Sequence, residues 1–177
     1  AVAGCGTLGL YIISILNYLK IKNIIAIDIL DKKLNLAKKR GAKYFINSRN
    51  RKIDREILRK FKSGVDYFFE CSGNTEIINR GFKSLNQRGT EIFIGVPKFK
   101  KKAEFSTLDI NLGKKIIGSK GGNFIPHEDM QNFHNIVRKS GLNHKTFISE
   151  KIKLDNLNEL INEMRLGNVD GKPIIVF

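Results

Sequence analysis

Three glycines and one acid carry the chemical signal of this chain. Gly4, Gly6 and Gly9 stand in the run Ala1-Val2-Ala3-Gly4-Cys5-Gly6-Thr7-Leu8-Gly9, with G-x-G-x-x-G spacing. Gly4 permits a tight strand-to-helix turn. Gly6 leaves no Cβ between the backbone and an approaching pyrophosphate, and Gly9 lets the following helix pack close to the strand. The free N–H groups and positive dipole end of that helix face the same point. Glycine-rich turns are common, so the hexapeptide is a weak signal by itself. Asp28 strengthens it. It closes Lys22-Asn23-Ile24-Ile25-Ala26-Ile27-Asp28, a loop and buried strand, nineteen positions after Gly9. An acid about 20 residues beyond such a loop hydrogen-bonds the adenosine ribose of NAD and repels a 2′-phosphate. A solvated aspartate at a strand end is the plain alternative. Loop, helix, strand and acid in this order favour the dinucleotide site.

Those residues need strands and helices in alternation to hold them, and the pattern supplies both. Asp31 to Arg40 reads as a helix with Leu34 and Ala37 inward, Lys38, Lys39 and Arg40 at its negative end, and Gly41 as its stop. Ala42 to Asn47 is a short strand. Arg51 to Lys62 carries Ile53, Ile57 and Phe61 at helical spacing. Val65 to Cys71 is an apolar run of strand length. Asn74 caps a helix whose inner face is Ile77, Ile78, Gly81, Phe82 and Leu85, and Thr90 to Val96 is a buried strand ended by Pro97. Lys98 to Phe105 is a charged surface loop, Leu108 to Leu112 a short helix, and Lys115 to Ser119 a sixth strand. Pro126 opens a helix with Met130, Phe133 and Val137 inward and Gly141 at its end. Phe147 to Leu154 is extended. Asp155 caps a helix with Leu157, Leu160, Ile161 and Met164 inward, and Lys172 to Phe177 is a closing strand. Strands apolar on both faces, alternating with helices, predict an α/β fold: a doubly wound (Rossmann) parallel six-stranded sheet with helices on both faces.

The totals narrow the function classes. A chain of 177 residues, 41% hydrophobic, has the means to build a core. Its net charge of +15 is compatible with an anionic partner, but the basic residues are spread over nearly every helix pattern. No basic stretch is interleaved with aromatics as a single-strand binder would need, so no nucleic-acid partner is expected. Leu8 to Leu19 is interrupted by Gly9, Ser14 and Asn17 and is too short to span a bilayer, so no membrane partner is expected. Cys5 and Cys71 form neither a disulfide framework nor a zinc cluster, which points to a reducing, cytoplasmic setting. Only three residues precede Gly4, so the chain reads as starting inside a strand, as a piece of something longer.

The ordered set Gly4-Cys5-Gly6-Thr7-Leu8-Gly9, Asp28 with Lys33, Arg40-Gly41-Ala42, Glu70-Cys71-Ser72-Gly73, Gly95-Val96-Pro97, Gly118-Ser119-Lys120-Gly121-Gly122 and Met164-Arg165-Leu166-Gly167 through Gly171-Lys172 to Phe177 resembles the C-terminal half of the medium-chain, zinc-type alcohol dehydrogenases and reductases. The resemblance runs end to end. It implies that Gly4, Gly6 and Gly9 shape the pyrophosphate turn, with Thr7 and Leu8 close to the cofactor. It implies that Asp28 holds the ribose with Lys33 beside it. Ile94, Val96, Gly118 and Ser119 would lie near the nicotinamide. Lys172 stands where many members carry an Arg reaching the pyrophosphate; Lys keeps the charge but loses the bidentate fork.

In that family the catalytic zinc ligands sit in an N-terminal domain, and the residues here supply no such set. Cys5 is in the phosphate loop. Cys71, at a strand end, reads as a small buried hydrophobe. His127, His134 and His144 read as surface residues, although the first two share a spacing of seven. The resemblance therefore implies an NAD-binding domain over 1–147. It further implies a helix-strand extension over 148–177 that packs with the absent catalytic domain, no zinc and no catalytic residue in this chain, and a small-molecule alcohol substrate reached through the absent half. The chain alone is expected to be inactive. A homodimer or tetramer through the edge strand near Ile116 is implied by analogy. The rival readings are a non-catalytic dinucleotide-binding module and an S-adenosylmethionine methyltransferase. The second usually carries an acid just before the loop, and Ala1-Val2-Ala3 supplies none.

Overall fold

The computed structural model describes residues 1–140, 144–169 and 171–177. They form two compact units, Ala1–Asp129 and Met130–Phe177. The first contains a parallel six-stranded sheet built from β1 (Val2–Ala3), β2 (Ile25–Asp28), β3 (Tyr44–Asn47), β4 (Val65–Glu70), β5 (Leu85–Phe93) and β6 (Lys115–Gly118), in the order β3-β2-β1-β4-β5-β6. Helices α1 (Thr7–Tyr18), α2 (Asp31–Lys39), α3 (Ile53–Lys60), α4 (Thr75–Ser84) and the short α5 (Thr107–Asn111) connect them. Val2 is level with Ala26 of β2 on one side and Phe69 of β4 on the other. The strand order reverses at β1, and a crevice opens beyond the carboxyl ends of strands at such a point.

Alternation along the strands sends neighbouring side chains into two separate cores. On one face Ala3, Ile25, Ile27 and Phe68 pack with Ile53 and Ile57 of α3 and Phe82 of α4. Val2 and Ala26 face the other way, and Leu10 and Ile13 of α1 and Leu34 and Ala37 of α2 are buried with them. Fully burying an Ile or Phe side chain is worth about 1.5–3 kcal/mol, so these few residues hold most of the sheet's helical cover. No helix among the described residues is long and apolar enough to cross a membrane.

Some expected boundaries move. Leu85, expected on the inner face of α4, opens β5 and is level with Val65; the register then shifts until Tyr67 meets Thr90. The intervening Asn86-Gln87-Arg88-Gly89 bulges, and Asn86 Nδ2 donates to Asp66 Oδ1 at 2.6 Å. The polar run interrupts the apolar pattern, so the start of the strand carries no apolar signal. At its far end β5 stops at Phe93, because the amides of Ile94 and Gly95 both turn to the Glu70 carbonyl, each at 2.8 Å.

The unit Met130–Phe177 holds most of α6 (Pro126–Lys139), β7 (Ile148–Ile152), α7 (Leu157–Leu166) and β8 (Lys172–Ile175), with β7 and β8 paired in parallel. Among its described residues Phe147 and Leu160 are buried. The expected inner faces are largely uncovered: Met130, Phe133, Ile161 and Met164 are exposed, while Val137 and Leu157 are half-buried. Spacing marks an apolar stripe, but a unit this small has little surface with which to cover two of them. Asp155 does not cap α7. It lies in a 3₁₀ turn, Leu154–Asn156, and the capping position falls to Asn156, whose side chain makes no capping bond. The expected stop at Gly141 lies outside the described residues.

One core residue conflicts with its surroundings. Glu91 is fully buried in β5, and neither carboxylate oxygen has a hydrogen-bond partner. Burial first, and the nearby Glu70 charge second, push its pKa up to about 9. The folded chain therefore keeps Glu91 protonated, while the unfolded chain ionises it above its ordinary value of 4.5. Folding stability is lost as pH rises from about 4.5 towards 9. Glu91→Gln should raise the melting temperature at pH 8 and give a much smaller gain at pH 5. Thermal melts of both proteins at the two pH values check this.

Candidate dinucleotide site

The cleft beyond the ends of β1, β2 and β4 has a volume of about 370 Å³ and is lined by Gly4, Gly6, Asp28, Ile29, Lys33, Ser48, Cys71, Ser72, Asn74 and Ile77 among others. Gly4, with φ +89°, bends the chain from β1 into the loop, and its N–H donates to the Ile27 carbonyl at 2.8 Å. Gly6 precedes α1 in extended conformation, and a Cβ built on it would meet nothing within 4 Å. Gly9 is the opposite case: its Cβ would overlap the Gly4 carbonyl oxygen. One glycine thus leaves room on the open side of the loop, and the other lets the helix close against it.

No side chain caps the start of α1, and its first turn carries no acid. Gly6, at the start of this helix, lines the cleft, and the helix's leading N–H groups have no side-chain cap, as an anion-binding helix start requires. Asp28, 8% exposed, fixes this arrangement. Its Oδ2 accepts from Cys5 N at 2.8 Å and its Oδ1 from Leu30 N at 3.0 Å. Each carboxylate oxygen has a second lone pair, so the pair of oxygens keeps acceptor capacity for hydroxyls in the cleft.

The other expected residues are distributed as follows. Lys33 lines the cleft, while Thr7, Leu8 and Gly9 form the first turn of α1, with Leu8 exposed. Ile94 and Val96 follow β5, and Gly118 ends β6 with the Ser119 amide donating to Phe93 O at 2.8 Å. They share the carboxyl edge of the sheet but do not line the cleft. Lys172 opens β8 in the unit Met130–Phe177. Ser48, Ser72, Asn74, Ile29 and Ile77 also line the cleft, although no motif in the sequence marks them as site residues. The register Asp28↔Asn47 carries the signal for Ser48, because the residue after β3 must end level with the residue after β2.

Cys71 needs correction. It is half-buried and lines the cleft, one residue past the end of β4, with its N–H still donating to Ala3 O of β1 at 2.8 Å. Its thiol is pushed up to about 12 by burial and by the Glu70 charge. Burial, then the Asp28 charge, pushes Cys5 to about 12 as well. Both thiols are therefore protonated at neutral pH in the metal-free fold. Among the described residues no group of three His, Cys, Asp or Glu side chains is placed to hold a metal ion. The glycine loop, the helix start and the Asp28 carboxylate offer donors for an anion and acceptors for hydroxyls.

A family model described as zinc-binding dehydrogenase matches residues 7–139. The chain belongs to the zinc-binding dehydrogenase family. It is 28% identical to a geraniol dehydrogenase of Carpoglyphus lactis over 100% of its own length and 47% of that protein's. It is 26% identical to an S-(hydroxymethyl)glutathione dehydrogenase of Saccharomyces cerevisiae, covering 95% of this chain and 45% of the relative. A benzyl alcohol dehydrogenase from Acinetobacter calcoaceticus superposes with a TM-score of 0.88 at 27% identity, over 98% of this chain and 48% of that one. This zinc-binding dehydrogenase chain spans about half the length of the relatives it matches, their C-terminal half.

The two loop glycines should separate folding from binding. Gly9→Ala should cost about 1–3 kcal/mol of stability, as forced overpacking does. Gly6→Ala should melt close to wild type and bind a dinucleotide at least about tenfold more weakly, since the added methyl fills only the ligand's side of the loop. Thermal melts and nucleotide titration of the two variants test the pair.

Proposed function

We propose that this chain is the NAD(H)-binding half of a zinc-dependent medium-chain alcohol dehydrogenase. The observation that carries the reading is Asp28, a buried carboxylate bonded to the glycine loop and still open to the cleft. Bound nicotinamide would supply the hydride acceptor or donor. The chain's own residues bind and orient. Gly6 and the leading amides of α1 receive the pyrophosphate. Asp28 accepts from the ribose hydroxyls, and its charge opposes a 2′-phosphate, although Lys33 in the same cleft tempers that repulsion. Ile29 and Ile77 give the cleft an apolar lining for a flat adenine. Ile94, Val96, Gly118 and Ser119 serve the nicotinamide end of the same sheet edge.

The alcohol substrate, the zinc and the proton transfers belong to the other half of the enzyme, with residues 148–177 packing beside it and 1–147 serving the cofactor. The names of the relatives, which include geraniol, benzyl alcohol and S-(hydroxymethyl)glutathione dehydrogenases, support an alcohol as the substrate class. The setting is cytoplasmic, in keeping with two protonated free cysteines. β6 closes one edge of the sheet with Ile117 exposed, which supports pairing with a second copy there.

Fluorescence titration with NADH and NADPH tests the reading. Wild type should prefer NADH by about tenfold or more, the scale of a hydrogen bond to a charged group. Asp28→Ala should lose that preference. Equal binding of both nucleotides by wild type would overturn the assignment of Asp28. Alcohol-dependent NADH formation by this chain alone would overturn the division of labour.

A further inference from the structure

The dinucleotide reading leaves one buried acid at the cleft without a task. Glu70 ends β4 and is fully buried. Its Oε1 accepts from Ser72 N at 2.8 Å and from the Ser72 hydroxyl, and Gly73 N lies 3.1 Å from Oε1 and 3.0 Å from Oε2. The Ser72 hydroxyl in turn accepts from Asn74 N at 3.2 Å, and Asn74 Oδ1 caps α4 by accepting from Glu76 N and Ile77 N. Cys71, Ser72, Asn74 and Ile77 are the cleft wall opposite Asp28 and Lys33. One carboxylate therefore gathers the Ser72 and Gly73 donors of the turn from β4 into α4, and through the Ser72 hydroxyl it reaches the Asn74 amide.

The same residue reaches the loop after β5. The Glu70 carbonyl accepts from Ile94 N and Gly95 N, both at 2.8 Å. A Cβ on Gly95 would come within 2.9 Å of Glu70 Oε2 and would overlap Gly73 N, and a Cβ on Gly73 would overlap the Val96 carbonyl. The turns Cys71–Gly73 and Gly95–Val96 are thus in backbone contact around this acid. We propose that Glu70 is a positioning residue for the dinucleotide, setting the adenosine-side wall of the cleft and the β5 loop on its nicotinamide side as one unit. The inference rests on the dinucleotide reading above.

Glu70→Gln keeps the shape but turns one acceptor oxygen into a donor, which then faces the Gly73 N–H. NADH titration at a temperature well below every melting point should show affinity reduced by about tenfold or more. Ser72→Ala, which removes one donor and leaves the buried charge, should weaken NADH by a smaller factor. Phe82→Leu thins the same face of the core away from the turn. It should lower the melting temperature yet bind NADH as wild type does, which separates positioning from stability. Hydrogen exchange should also show the Gly73 and Gly95 amides speeding up together in Glu70→Gln. A folded Glu70→Gln variant with wild-type NADH affinity would overturn the proposal, as would unchanged affinity in Ser72→Ala if Glu70→Gln does not fold. Wild type binding neither NADH nor NADPH would instead remove the dinucleotide reading, and this inference with it.

Discussion

The Asp28 carboxylate is the constraint on which the site depends. It is bonded on one side to the amide of Cys5, inside the glycine loop, and on the other to the amide of Leu30, at the turn into α2. The ends of two neighbouring parallel strands are thereby fixed relative to each other by one side chain. The geometry has a steric counterpart in Gly9, where α1 lies so close to the Gly4 carbonyl that no side chain fits. Loop, helix start and acid are consequently held as a set. Donors at the helix start and acceptors at the acid are thus arranged before any ligand arrives, which lowers the ordering cost of binding.

Much of this was legible in the sequence because it depends on short-range chemistry. The glycine spacing, the acid nineteen positions on and the buried strands each reflect a local requirement of the doubly wound fold. Asn74 was readable as a cap for the same reason, and it bonds the Glu76 and Ile77 amides. What could not be read depended on neighbours distant in sequence. Ser48 joins the cleft only through the pairing of β3 with β2. The start of β5 was hidden by a polar bulge whose role appears only when Asn86 meets Asp66. Apolar spacing in α6 and α7 says that those faces suit burial, not what covers them.

The polar residues of the core divide into two kinds. Glu70 is surrounded by donors and ties loops together. Glu91, on the next strand, has no partner and must stay protonated to be tolerated. Burial of a charge is costly unless it is paired, so the same side chain stabilises in one place and destabilises in the other. The distinction also bears on chemistry. The two thiols are held protonated, and the described histidine side chains, those of His127 and His134, lie on an exposed helix face. The described residues around the cleft offer backbone donors and a carboxylate acceptor, groups suited to binding and orientation.

Amide chemical shifts of the ¹⁵N-labelled chain during NADH addition test the central claim most directly. The account predicts that the largest changes fall on Cys5 to Gly9, Leu30 and the Ser72–Asn74 turn, with the amides of the β3–α3 edge little altered. Saturable changes confined to other surfaces, with the glycine loop silent, would contradict it.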